Sequence, residues 1–392
     1  SDNQTGGEIS NVVYISAYGT EDRKYFDKNI AFCVGAYPEN KKEVGDWWKT
    51  PKPYHFVLQI YSFPYREETA GREDAGYEAI SETRFSATPP ITANQKLIVM
   101  GCEKKGNYLY IAYCPPLATG SVIEKINDAE PCRLLVVDVS DLTKPVLVRD
   151  EEIGLSEARG GNIIRKGDYL YINDGKQLMI LSLAQAERPE AIKRIDAAAL
   201  GEEAAKWLPW RDAAVIEDRL FYSGLFRVAV LSISDPVNPQ LIYYEEFSQM
   251  RQNRFGGDAW TFACQDGTMY LATMEGVFVH TLTSGKDGKL YRQEVGSRKA
   301  TPLERLAGRR PRELLVYKGW LVENAGSFGV LVYDISNPAR PRRAYHAETG
   351  NYCSDIGVWD GLLWMESYGN ILRFLEVPEK GPRGPFTDAG LE

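Results

Sequence analysis

Residues 137–145 read VDVSDLTKP, and the pattern returns as LSLAQAERP at 181–189, LSISDPVNP at 231–239 and YDISNPARP at 333–341. In each copy Asp or Ser (Asp138, Ser182, Ser232, Asp334) precedes the closing proline by seven residues. The prolines Pro145, Pro189, Pro239 and Pro341 lie 44, 50 and 102 residues apart, so a degenerate copy is expected near 290. GVFVHTLTSGKDGKLY (276–291) supplies it, with Thr281 and Gly288 at the same separation and the proline lost. A period of this size implies a repeat architecture.

Upstream of the copies a turn residue opens an apolar stretch: GDYLYI from Gly167, DRLFYS from Asp218, GTMYLA from Gly267, GWLVEN from Gly319 and GLLWME from Gly361. Period-two patterning rich in Tyr, Val, Ile and Leu predicts strands. From turn to proline is 22, 21 and 22 residues in the copies at 167, 218 and 319 but 39 in the copy at Gly106. The excess of 17 matches the segment between Cys114 and Cys132 and locates an insertion. Second turns are expected at Asp174-Gly175, Ser223-Gly224, Glu275-Gly276 and Gly369-Asn370, where glycine allows a tight reversal.

Each unit therefore reads as strands A, B, C and D, with the Asp/Ser-to-Pro turn between C and D. Four antiparallel strands in about 45 residues make one blade of an all-β propeller, and blades bury their faces only by packing in a ring. Six fall at 97–150, 161–195, 208–245, 258–297, 311–347 and 352–377. A seventh is expected at the N-terminus, with KNIAFCVGAY and YHFVLQIYSF as strands B and C, and NVVYISAYG as an inner strand or as the closing outer strand of the last blade. The expected fold is seven four-stranded blades, or six if the first 65 residues do something else. Residues 1–10 read as a polar leader, 11–380 as a single propeller domain and 381–392 as a C-terminal tail. Segments 36–53 (with Trp47 and Trp48), 62–95 and 115–131 exceed what turns require, and 196–207 reads as a helical decoration.

The segments LLVVDVSDLTKPVLV, VAVLSISDPVNPQLI and GVLVYDISNPARPRRA resemble the LVIVD repeat of bacterial and archaeal surface or secreted β-propellers. The resemblance covers about residues 97–377, with Ser182, Ser232 or Thr281 in place of the aspartate. It implies a scaffold and no shared catalytic residue. The recurring Asp or Ser reads as an acceptor for backbone N–H groups of the next turn, and the proline as a residue before an edge strand where no donor is needed. A ring of metal ligands is not expected, because three of the five copies carry a hydroxyl, a poor ligand for a hard cation.

The 392 residues are 44% apolar with no run near the roughly 20 residues of a spanning helix. Lys and Arg number 46 against 54 Asp and Glu, and a net charge of -8 repels nucleic acid. The start SDNQTGGEIS resembles a tether left after a signal or lipoprotein segment, so an extracytoplasmic location, with a lipid anchor lost alongside that segment, is the expectation.

None of the six cysteines has zinc-site spacing. Cys114 and Cys132 flank the insertion at the neck of a hairpin, where they form either a disulfide or a pair of reduced, packed thiols; Cys264 shares the column of Val215, Val316 and Val358 and reads as core. His55, His280 and His346 read as packed or surface residues. Neither a nucleophile motif nor a cofactor-binding motif is found, so no catalytic residue, metal or cofactor is assigned.

One polar set carries a functional reading. At the starts of the innermost strands the sequence reads ARGGN, PWRDA, GGDAW, RPREL and CSDIG. Arg211 and Arg312 share one column, Asp212, Glu313 and Asp355 the next, with Arg159, Asp258 and Trp260 within two places and Trp210 adjacent. Guanidinium, carboxylate and indole groups around one channel mouth suit a small polar or sugar-like ligand; equally, they suit ion pairs between blades. The run Arg305, Arg309, Arg310, Arg312 adds positive charge on the same approach, to attract an acidic glycan or, as the favoured reading, as a solvated loop. The two functional readings are a scaffold for a protein, glycan or small polar ligand, and an enzyme on a carbohydrate or similar metabolite using the mouth carboxylates.

Overall fold

The computed structural model describes residues 9–11, 23–27, 30–38, 54–62, 78–86, 95–118, 132–154, 162–173, 177–200, 210–224, 227–246, 260–265, 267–347, 353–359, 362–367, 371–376 and 387–388. They form seven antiparallel sheets, each ordered as the chain runs. The first holds β1 (Ile9–Asn11), β2 (Arg23–Asp27), β3 (Ile30–Pro38), β4 (Tyr54–Ser62) and β5 (Glu78–Ser86). The second holds β6 (Gln95–Lys105), β7 (Tyr108–Ala118), β8 (Arg133–Asp138) and β9 (Val146–Glu152), and the third β10 (Asn162–Lys166), β11 (Tyr169–Asn173), β12 (Gln177–Ser182) and β13 (Glu190–Asp196). The fourth holds β14 (Trp210–Ile216), β15 (Arg219–Gly224), β16 (Arg227–Ser232) and β17 (Gln240–Glu246). The fifth holds β18 (Trp260–Gln265), β19 (Thr268–Thr273), β20 (Gly276–Ser284) and β21 (Leu290–Lys299). After helix α1 (Pro302–Leu306) come β22 (Arg309–Tyr317), β23 (Trp320–Gly326), β24 (Val330–Asp334) and β25 (Arg342–Ala347). The seventh holds β26 (Cys353–Trp359), β27 (Leu362–Ser367), β28 (Ile371–Glu376) and β29 (Thr387–Asp388).

Seven blades are present, with a fifth strand on the first. Of NVVYISAYG only Asn11 is described, where it ends β1 and pairs with Lys24 of β2, and residues 12–19 lie outside the described residues. The last blade takes its outer strand from residues 387–388, within the stretch read as a tail.

The middle strands are apolar on both faces because each face meets a different blade. On β7, Leu109, Ile111 and Tyr113 join Phe32, Val34 and Leu58 of the first blade, whereas Tyr110 and Ala112 join Leu170 and Ile172 of the third. The alternation continues around the molecule, through Tyr171 and Leu220, Phe221 and Met269, Tyr270 and Leu321, and Val322 and Leu363. Six cores thus lie between consecutive blades, and β1 touches β26 where the first blade meets the last. Strands buried on both faces read as near-continuous apolar runs, which is why LLVVDV is stronger than an amphipathic strand.

Strands A and B meet in two-residue turns at Gly106-Asn107, Gly167-Asp168, Glu217-Asp218 and Lys318-Gly319. Lys318 sits at φ 47° and Gly319 at φ 77°, a geometry that favours Asn-Gly. A non-glycine residue there is strained by about 1–2 kcal/mol. Lys318→Asn, which tolerates this region, is expected to raise the unfolding free energy by about 0.5–1 kcal/mol in urea denaturation.

The B–C reversals need correction. Gly224 pairs with Arg227 inside the ladder, so Ser223-Gly224 is not the reversal, and Gly276 opens β20 opposite Thr273, so the reversal there is Met274-Glu275. Asp174-Gly175 and Gly369-Asn370 lie outside the described residues. The expected helix at 196–207 is a single 3-10 turn at Ala197–Leu200 as far as it is described.

The Asp/Ser-to-Pro turn behaves as its chemistry requires. Asp138, Ser182 and Asp334 accept from the N–H of Ser140, Ala184 and Ser336 at 2.8, 3.2 and 2.8 Å, while Ser232 bonds the Ser234 hydroxyl. Each proline precedes the first paired residue of strand D, as Pro145 precedes Val146 opposite Asp138. Thr281 holds the same register opposite Thr268, but β20 runs on to Ser284 and the chain turns over 285–289.

Strand D carries a recurrent bulge that the sequence reading missed. One residue is skipped at Ile80, Val148, Ile192, Ile242, Val295 and Ala344, always apolar and always in the first half of the strand or near its middle. A bulge twists an outer strand away from flat pairing with another chain.

Candidate functional site

A–B and C–D turns share one end of the blades, so the starts of strands A and the ends of strands B share the other, where the residues of the expected channel mouth lie. Asp212 pairs with Ser223, Glu313 with Asn324 and Asp355 with Glu366, each at the same distance from its A–B turn. Gly101, Asn162 and Thr261 hold that position in the second, third and fifth blades. The carboxylates thus belong to the fourth, sixth and seventh blades only. Arg211 is skipped in a bulge between Trp210 and Asp212, Arg312 lies in the irregularity between Arg309 and Glu313, and Trp260 pairs with Thr273. Arg159 and Asp258 lie outside the described residues, as do the side chains of Trp210, Arg211, Asp212, Trp260 and Asp355.

Of these three carboxylates, Glu313 has its bonds described. Its Oε2 accepts from Asn324 Nδ2 at 3.3 Å and from the backbone N–H of Ile356 at 3.0 Å, joining the sixth blade to the seventh. Arg312 beside it is exposed. Removing the carboxylate leaves both donors without that acceptor, so Glu313→Ala is expected to cost about 1–3 kcal/mol in chemical denaturation, and Glu313→Gln less.

The arginine run is not one solvated loop. Arg309 is fully buried, with Nη2 2.8 Å from Glu323 Oε1 and 2.9 Å from Oε2, and Nη1 donating to the carbonyl of Thr273 at 2.7 Å. The Tyr333 hydroxyl donates to Glu323 Oε2 at 2.6 Å. The reading erred because this position of β22 faces the interior between the fifth and sixth blades, where an isolated guanidinium is tolerated only with a carboxylate and carbonyls.

Next to this cluster, α1 is closed by a capping box. Glu304 N–H donates to Thr301 Oγ1 at 3.2 Å and Thr301 N–H to Glu304 Oε2 at 2.9 Å. Glu304 is buried and receives Arg298 at 2.6 and 2.8 Å and Arg343 at 2.9 Å. Burial opposes its ionisation, but Arg298, the cap N–H and the nearby guanidinium charges win and hold its carboxyl at about 2. The sequence signal was Thr301-Pro302-Leu303-Glu304, a capping box with proline at the first helical position.

The LVIVD repeat family matches residues 131–150 and 160–182, on the second and third blades. The chain is a β-propeller that carries LVIVD repeats on these two blades. Its fold is similar to that of a Lactobacillus plantarum protein, at 9% identity over 81% of this chain and 87% of that one, with a TM-score of 0.51. It is also similar to Sqt1 from Chaetomium thermophilum, at 10% identity over 91% and 81%, with a TM-score of 0.54. No curated protein matches the sequence.

Within this LVIVD-repeat propeller Cys132 is disulfide-bonded, and the ladder that pairs Tyr113 with Arg133 brings position 114 opposite it at the next step. The Cys114 side chain lies outside the described residues. Cys102, Cys264 and Cys353 are buried thiols that form no disulfide, and Cys264 sits in the core as expected, its thiol pushed up by burial.

The histidines of the propeller act structurally where they are described. His346 Nε2 lies 2.6 Å from the Phe328 carbonyl and its ring stacks on Phe328. His280 is buried, its Nε2 accepting from Arg292 Nη1 at 2.7 Å, while Arg292 Nη2 reaches Glu245 across the fourth and fifth blades. Burial and the Arg292 charge push the imidazole down to about 4. Folded protein therefore binds fewer protons than unfolded chain between about pH 6.5 and 4, and stability present above that window is lost as pH falls through it. Between pH 7.5 and 5 His280 is expected to cost about 2 kcal/mol, seen as a fall in urea midpoint that His280→Gln removes.

Proposed function

We propose that this propeller is an extracytoplasmic scaffold that binds a protein partner on the face bearing the channel mouth, without chemistry of its own. The observation that carries the reading is the asymmetry of its two ends. A–B turns are two residues long and C–D turns are compact, whereas the connections between β3 and β4, between β7 and β8, and between successive blades all open on the mouth face. The connection between β4 and β5 is the exception. Long connections on a rigid scaffold are where recognition concentrates. On this reading Arg211 and Arg312, with Arg159, Asp258, Trp210 and Trp260 beside them, are contact residues. The engagement of Glu313 between blades argues against a free catalytic carboxylate at that position. The disulfide at Cys132 supports an oxidising compartment.

A displayed library of random 16-residue peptides and a glycan array, both presented to the purified protein, test the proposal. Peptide ligands lost on Arg211→Ala/Arg312→Ala, with the melting temperature unchanged within a few degrees, are the expected result. Glycan binding without peptide binding, or a large drop in stability in place of lost binding, contradicts it.

A further inference from the structure

Leu303 and Leu306 of α1 are 69% and 87% exposed, more than any other large apolar residue among those described. They are three residues apart and so share one side of the helix. A five-residue helix is unstable alone. This one is held by its capping box and by the Arg298 and Arg343 bonds to Glu304. The leucines are thus presented in place, and little order remains to be lost when a partner covers them.

The surroundings are basic although the whole chain carries -8. Arg305, Arg310 and Lys299 are exposed, and only Arg305 has an ion pair among these described contacts, to Glu275 at 3.6 Å. The helix's own acid, Glu304, is buried and neutralised. Since α1 joins β21 to β22, it lies on the mouth face.

We infer that α1 and its flanking basic residues form a docking site for an acidic segment of a partner protein that bears two bulky apolar side chains. This rests on the protein-binding reading and names the partner's chemistry. Charge complementarity selects that occupant: a second copy offers β9, where Val146 and Val148 are exposed, but its Asp150, Glu151 and Glu152 are already paired with Arg133 and Arg149. A lipid surface needs a longer amphipathic face than five residues provide.

The test selects the same random-peptide library on the wild-type protein and counter-screens the clones on two variants, Leu303→Ser/Leu306→Ser and Arg305→Glu/Arg310→Glu. Clones are expected to be rich in Asp and Glu with at least two bulky apolar residues, and to lose at least tenfold in affinity on each variant. Clones lost on Arg211→Ala/Arg312→Ala but kept on both α1 variants leave the mouth reading standing and overturn this one. It is also overturned if no clones enrich, if they are basic or uncharged, or if sedimentation shows self-association that Leu306→Ser abolishes. Flotation with anionic phosphatidylserine vesicles that depends on the leucines would likewise overturn it.

Discussion

Arg309→Ala is expected to lower the unfolding free energy by about 3–5 kcal/mol, the range for removing one partner of a buried ion pair. The loss does not measure the attraction of the pair. Removing the guanidinium leaves Glu323 buried with only the Tyr333 hydroxyl among the bonds described above, and strips the Thr273 carbonyl of its donor. A companion variant separates these effects. Arg309→Met with Glu323→Leu removes both charges and keeps apolar volume, and such replacements are often neutral. It should recover at least half of the loss in a guanidinium midpoint. Equal destabilisation of single and double variants would show that the fifth and sixth blades depend on the pair itself.

Breaking the Cys132 disulfide is expected to cost about 3 kcal/mol, the chain-entropy value for a loop of this size if the partner is Cys114. The segment enclosed, 115–131, is the insertion in the second blade. Cys132→Ser and Cys114→Ser should then be destabilised equally, with Cys33→Ser unaffected, and non-reducing peptide mapping should return one peptide holding both 114 and 132. Recovery of a peptide linking Cys33 to Cys132 would reassign the bond to the interface of the first two blades.

The repeat was legible because the features that recur are local. Asp138 and Asp334 satisfy backbone donors two residues on, and Pro145 or Pro341 stands just before the first rung of strand D, so residue type and spacing carry the geometry. The alternation of Tyr110 and Ile111 between two interfaces is equally local and shows as an unbroken apolar run. Glycine was less informative: Gly224 and Gly276 mark the edge of a ladder, not its reversal, and at Gly276 the missing side chain serves close approach to the backbone of Arg298 and Lys299.

The mouth was legible only as columns. Counting from the A–B turn put Asp212, Glu313 and Asp355 at one register, but not the acceptance by Glu313 of an N–H from the next blade, since that depends on how two blades meet. Arg309 failed for the same reason. A charged residue in a basic run looks solvated until Glu323 and Tyr333, from strands 14 and 24 residues on, are found around it. The Thr301 box is a local signal carried by four adjacent residues, whereas the bonds of Glu304 to Arg298 and Arg343 depend on how neighbouring strands meet.

Closure of the seven sheets into a ring is checked by a crystal structure of the full 392-residue chain. Seven radial sheets are expected, with β1 beside β26 and residues 387–388 paired to β28 as the outer strand of the last. Six sheets, an open arc with the first and last blades apart, or two separate lobes would contradict it.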